Sequence, residues 1–167
     1  MDSTFNNTLK KLSEDKRSKL CIGLDIDSDR MPDSMDKSLP GLQKYIQDII
    51  DSTTELCVAY KLNMAFYERY GSKGYALMEK IVEYINHRNL TIADGKRGDI
   101  GNTTTKYAIS IFDSIGFDSI TVSPYMGFDS IEPFGLFIII GMLFFGLLQP
   151  IFLFVRTLTI ALSSIGF

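Results

Sequence analysis

Four short runs rich in apolar and β-branched residues each close on an ionisable or polar side chain, and this repeat restricts the fold more than any other feature of the chain. Residues 20–24 lead into Asp25, 57–60 into Lys61, 90–93 into Asp94 and 119–122 into Ser123. Between them lie polar loops and segments whose apolar residues recur at helical spacing: Leu42, Tyr45, Ile46, Ile49 and Ile50, then Leu77, Ile81, Tyr84 and Ile85, then the stretch 106–115. Phe5, Leu9 and Leu12 predict one further helix at the start. Runs that are apolar without alternation suit parallel strands covered on both faces. Strand, loop and helix in repeated order predict βαβ units.

Polar groups at the C-terminal ends of the strands point to a (β/α)₈ TIM-barrel type of fold, where the βα loops converge on one mouth. An open doubly wound sheet is the competing architecture. Neither GxGxxG nor GxxxxGK[ST] follows any of the runs, which weakens a nucleotide-binding open sheet. Residues 1–134 account for about four to five βα units, so the barrel is expected to be incomplete.

Composition removes several function classes. A formal net charge of -3 and the absence of a basic cluster interleaved with aromatics argue against a nucleic-acid partner. Cys21 and Cys57 lie outside any CxxC or Cys/His pattern and are expected to be buried thiols in a reducing compartment. His87 is the one histidine, so a His-based triad or a zinc site is not expected. Its place near the end of a predicted helix suits a solvated cation. Residues 1–20 lack the apolar stretch of a secretory signal, and a cytoplasmic protein is expected.

The chemistry concentrates in Asp94-Gly95-Lys96-Arg97-Gly98-Asp99. Charges and glycines are common in solvated turns, so a plain surface loop is the alternative. Lys61 and Asp25 end neighbouring strands, however, which would gather charges of alternating sign at one mouth. Arg97 reads as a loop salt bridge, and Tyr67, Tyr70 and Tyr125 suit pocket lining or packing equally.

The segment Asp94-Gly95-Lys96-Arg97-Gly98-Asp99-Ile100, with Thr103, resembles the signature of orotidine 5'-phosphate decarboxylases. The likeness extends to Cys21-Ile22-Gly23-Leu24-Asp25, to the stretch from Tyr60-Lys61-Leu62-Asn63 to Glu68, and to Val122-Ser123-Pro124-Tyr125-Met126-Gly127, over about residues 20–134. It resembles the branch of the family with longer chains and a Lys-x-Asn-x-x-Phe segment after the second strand. The resemblance implies conversion of orotidine monophosphate to UMP and CO2 in pyrimidine biosynthesis, with no cofactor and no metal. Lys61, Asp94, Lys96 and Asp99 fall on the family's alternating Lys-Asp-Lys-Asp array. Lys96 matches the proton donor to the pyrimidine C6, Asp94 the carboxylate beside the departing group, and Lys61 a holder of the array and of a ribose hydroxyl. Asp25 matches a ribose contact. Asp99, Ile100 and Thr103 match residues that reach the neighbouring subunit's site, so a homodimer is implied.

The chemistry is physically coherent with that assignment. Decarboxylation leaves an electron pair on a carbon that delocalises it poorly, and a fixed ammonium beside that carbon stabilises it best where water is excluded. Flanking carboxylates keep such a lysine charged. Two other readings are expected to compete: a related barrel sugar-phosphate decarboxylase or aldolase that uses magnesium, and a non-catalytic, membrane-anchored relic.

The relic reading rests on residues 135–155, GLFIIIGMLFFGLLQPIFLFV, which carry no charge and approach the length of a membrane span. Membrane association is expected only through this stretch. The resemblance would instead place a polar helix, a fifth strand and the phosphate-gripping loops after residue 134. Residues 152–157 faintly echo that strand. Residues 135–167 are therefore expected to be a frame-shifted or mis-joined end, or a membrane-spanning segment, and the chain a truncated or impaired form.

Overall fold

The computed structural model describes residues 4–140. Their backbone builds a parallel sheet in the order β1 (Cys21–Gly23), β2 (Ala59–Asn63), β3 (Leu90–Arg97), β4 (Ser119–Val122) and β5 (Ile138–Ile140). Helix α1 (Thr4–Asp15) precedes the sheet. α2 (Leu39–Thr53) joins β1 to β2, and α3 (Met64–Glu68) with α4 (Ser72–Ile85) joins β2 to β3. α5 (Gly101–Ala108) continues through a wider π-helical turn, Ile109–Ile115, toward β4.

Strand order and helix placement together decide between the two architectures. Neighbours in sequence are neighbours in the sheet, with no reversal of order. Ile46 and Ile50 of α2, Leu77, Met78 and Ile81 of α4, and Ala108 and Ile111 of the α5 region share one core with Tyr60, Leu62, Ala93, Ile120 and Val122 of the strands. Every crossover helix thus covers the same face. A doubly wound sheet would reverse its order and place helices on both faces. The fold is a partial α/β barrel-like arc.

Side chains alternate across a strand with a period of two. Tyr60 and Leu62 face the helices, so Ala59 and Lys61 face away from them, and β3 repeats the pattern with Ala93 against Ile92 and Asp94. At the N-terminal ends of the strands this second face is apolar: Val58, Ala59, Leu90 and Ile92 pack with Phe5, Leu9 and Leu12 of α1. At the C-terminal ends it carries charge. α1 therefore closes one end of the face, and the polar groups gather at the other.

Buried polar contacts pin the closed end. Asn89, 1% exposed, donates from Nδ2 to the carbonyls of Cys57 at 2.6 Å and Thr54 at 3.1 Å, and its Oδ1 accepts from Thr54 Oγ1 at 2.7 Å. Asp118 accepts from the Thr91 amide and hydroxyl, each at 2.8 Å, which fixes the entry to β4 against the start of β3. Both cysteines are free, Cys57 buried and Cys21 half-buried. Burial pushes the Cys21 thiol up to about 11, so it is a poor nucleophile.

Some elements depart from the sequence pattern. α5 begins at Gly101, ahead of the expected 106, and α3 is an element the pattern does not show. Within the charge-free stretch, residues up to Phe137 form a short 3₁₀ turn, and Ile138–Ile140 pair as β5 with Ile120, Thr121 and Val122. The expected echo of a fifth strand at 152–157 lies outside the described residues. So do the rest of the candidate span and the mis-joined end. Among the described residues no helix is long and apolar enough to cross a membrane.

Asn89→Ala removes the side-chain donor to the buried Cys57 carbonyl and one donor to the half-buried Thr54 carbonyl, and unfolding free energy should fall by about 1–3 kcal/mol. Urea denaturation should show a lower midpoint with an unchanged slope.

Candidate active site

Lys61, Asp94 and Lys96 meet at the C-terminal ends of β2 and β3. Lys61 Nζ lies 2.9 Å from Asp94 Oδ2, and Lys96 Nζ lies 2.7 Å from Asp94 Oδ1. The register explains the first contact: β2 pairs Lys61 with Ile92 and Asn63 with Asp94, so the Lys61 side chain needs to reach only a step along the strand. The second contact depends on an irregularity. From the pair Ala93–Ile120 to the pair Arg97–Val122, β3 advances four residues while β4 advances two. Lys96 sits in that bulge with φ 46, a left-handed conformation that is costly for a residue with a β-carbon.

Thr121 compensates for the broken ladder. Its Oγ1 accepts from the Lys96 amide at 3.0 Å and donates to Asp94 Oδ1 at 2.8 Å. One hydroxyl thus holds both the backbone of the lysine and the carboxylate that faces its ammonium. The sequence reading missed Thr121; its signal was the alternation of Ser119, Thr121 and Ser123 with Ile120 and Val122. Just beyond the bulge the Ser123 amide donates to the Arg97 carbonyl at 2.6 Å. A β-carbon on Gly98 would stand 2.4 Å from the Ser123 carbonyl oxygen, so only glycine lets the β3 loop pass this close to β4.

The Asp94 side chain is 11% exposed, against 33% for Lys61 and 62% for Lys96. Burial alone would raise its pKa. The hydrogen bonds from Lys96 and Lys61, the charge of Lys61 and the Thr121 hydroxyl outweigh burial and bring it down from 3.8 to about 2. Asp94 is therefore ionised at neutral pH, with both its oxygens engaged by the lysines. Among the described residues no group of three or more His, Cys, Asp or Glu side chains is placed to hold a metal ion.

The remaining candidates occupy the same end of the sheet in different settings. Asp25 follows β1, is exposed, and accepts from the Asn63 amide at 3.3 Å through Oδ1. Asp99 forms no salt bridge among the described residues; its Oδ1 accepts from the Ile100 amide at 2.8 Å. Ile100 and Thr103 are exposed at the start of α5. The described residues thus assemble Lys61, Asp94 and Lys96, and leave the half-buried Asp99 and the exposed Ile100 and Thr103 outside that array. Tyr67 is core: it is fully buried and donates to the Leu24 carbonyl at 2.6 Å. Tyr125 is 84% exposed. His87 lies just past the end of α4, exposed, in a left-handed turn with Asn86.

Residues 18–135 match the family described as Orotidine 5'-phosphate decarboxylase / HUMPS family. The chain belongs to this family. It is 49% identical over 122 residues to the orotidine 5'-phosphate decarboxylase of Christiangramia forsetii, covering 71% of this chain and 45% of that one. With the enzyme of the same name from Herpetosiphon aurantiacus it shares 43% identity over 130 residues, covering 78% and 49%. The solved OMP decarboxylase of Leishmania donovani is similar at a TM-score of 0.68 and 32% identity, over 79% of this chain and 49% of that one. The chain spans about half the length of these family relatives.

Replacing Thr121 with Val keeps the shape and removes the hydroxyl. The Asp94 titration midpoint, read by carboxyl ¹³C NMR, should move up from about 2, and Thr121→Ser should restore it. A second outcome concerns acid stability. Because the Asp94 pKa is depressed in the folded state, its contribution to stability is complete above the ordinary value of 3.8 and is lost as pH falls toward 2. Urea midpoints measured across that window should fall less steeply for Asp94→Asn than for the unaltered chain.

Proposed function

We propose that this chain supplies catalytic residues for the decarboxylation of orotidine monophosphate to UMP and CO2. The observation that carries the reading is the Lys61–Asp94–Lys96 array at the strand ends of a member of this family. In the proposed step the bond between C6 of the pyrimidine and its carboxylate breaks, CO2 leaves, and the electron pair stays on C6. Lys96 Nζ then gives C6 a proton and recovers one from water. An ammonium fixed in place before the reaction stabilises the developing carbanion without reorganisation.

The other residues take supporting parts. Asp94 holds both ammonium groups and lies beside the substrate carboxylate. Lys61 and Asp25 bind the ribose hydroxyls. Asp99, Ile100 and Thr103 serve the site of a second copy, in a homodimer whose sites are shared. Support for that arrangement comes from the exposure of Ile100 and Thr103, and from the exposed Tyr107, Tyr125 and Met126 that follow the ends of β3 and β4. The same reading makes the arc an incomplete (β/α)₈ barrel of about four to five βα units.

Initial rates with orotidine monophosphate test the assignment. Lys96→Ala should lower turnover by at least roughly 100-fold, the scale of a lost proton donor. EDTA should leave the unaltered chain's rate unchanged, which separates it from a magnesium-dependent barrel relative. Saturating UMP should raise the melting temperature by mass action. Undiminished turnover in Lys96→Ala would end this assignment.

A further inference from the structure

Arg97 sits next to Lys96 in sequence, and its side chain makes a set of contacts outside the catalytic array. Its Nη2 bonds Glu68 Oε1, its Nη1 reaches the Gly95 carbonyl at 3.4 Å, and its guanidinium lies 5.4 Å from the centre of the Tyr107 ring on α5. Glu68 ends α3, the helix that follows directly on the strand of Lys61. Its Oε1 also accepts from Tyr75 Oη of α4 at 3.0 Å. One ion pair therefore joins β3, α3, α4 and α5. It is not a loose surface contact, since Arg97 is 24% and Glu68 31% exposed. Arg97 Nε is buried without an acceptor among the described residues, a cost the chain carries at this position.

The backbone between Asp94 and Arg97 explains why so firm an anchor would be needed. A left-handed non-glycine residue persists only where its surroundings over-determine it. Lys96 has φ 46 and is held on the array side by its amide bond to Thr121. On the far side the restraint falls to Arg97, through its carbonyl to the Ser123 amide and its side chain to Glu68. The same pair ties the segment after Lys61 to the segment after Lys96.

We infer that the Glu68–Arg97 clasp is the positioning device of the site, holding Lys96 in its left-handed turn and fixing the two ammonium groups around Asp94. Arg97 is a positioning residue that acts through Lys96. Its fork geometry matters as well as its charge, because one guanidinium bonds Glu68 and Gly95 while covering Tyr107. The inference rests on the decarboxylase reading of the site and adds to it a role for two residues outside the array.

The test uses the full chain with Arg97→Met, Arg97→Lys and Glu68→Gln. Tyr84→Phe, which loses a hydrogen bond to Asp51 between α2 and α4, serves as a stability control. Three quantities are read: the Asp94 carboxyl titration by ¹³C NMR, the urea midpoint, and kcat and KM for orotidine monophosphate. Arg97→Met and Glu68→Gln should raise the Asp94 midpoint from about 2 toward 3.8. They should lower kcat by roughly 10- to 100-fold with KM within about twofold, the pattern of a displaced catalytic group. Arg97→Lys should recover only part of the loss, and Tyr84→Phe should lower the urea midpoint while leaving the Asp94 titration and kcat unchanged. A lower urea midpoint with the Asp94 titration and kcat unchanged would overturn the inference, leaving an ordinary structural contact. Should Arg97→Met fail to fold, Glu68→Gln carries the same test. A chain without turnover would defeat the functional reading, while the titration still decides the clasp.

Discussion

The Asp94 carboxylate is the constraint on which the site depends. Mostly withdrawn from water, it would resist ionisation unless opposite charge stood against both its oxygens, and Lys61 and Lys96 supply that charge. The dependence is mutual, because two ammonium groups gathered at one carboxylate would repel one another without its charge. Removing one partner from such a set leaves an uncompensated charge in a partly dry place. The exposed pair Lys44–Asp48, on successive turns of α2, has no such leverage, since water solvates either member alone.

The backbone delivers this arrangement through features that each depend on the others. With the crossover helices on one face of the sheet, the opposite face is free to carry charge at its open end. The bulge in β3 brings Lys96 back toward Asp94, and its disrupted ladder is repaired by Thr121. Gly98 allows the loop to lie against Ser123, and the Glu68–Arg97 pair anchors the other side. Rigidity near the ammonium groups is thus built from backbone contacts as much as from side chains, as pre-organised electrostatic sites require.

Much of this was legible in the residues. The runs before Asp25, Lys61, Asp94 and Ser123 are the strand regions, because unbroken apolar and β-branched stretches have few other uses in a folded chain. The helices carried by Ile46 and Ile50, and by Leu77 and Ile81, announced themselves by spacing. The start of α5 did not: Gly101-Asn102-Thr103-Thr104-Thr105 has no apolar period, and buried Thr104 does the packing there. α3 is too short to show a period at all. The isoleucines 138–140 belong to a stretch of membrane-like composition, and composition cannot register that the edge of β4 offers unpaired backbone groups for them to meet.

The sequence by itself determined which residue types stand at the strand ends, and hence that lysines and carboxylates of alternating order would share one mouth. Periodicity and strand polarity suffice for that, since both are local properties of the chain. Only the tertiary structure decided which of those charges touch. Lys61 and Lys96 close on Asp94, while Asp99 turns to its neighbour's amide, because pairing across strands depends on register and on a bulge that no local pattern encodes. Thr121 entered the site for the same reason: a threonine in a strand is unremarkable until the adjacent strand places an unpaired amide and a carboxylate against its hydroxyl.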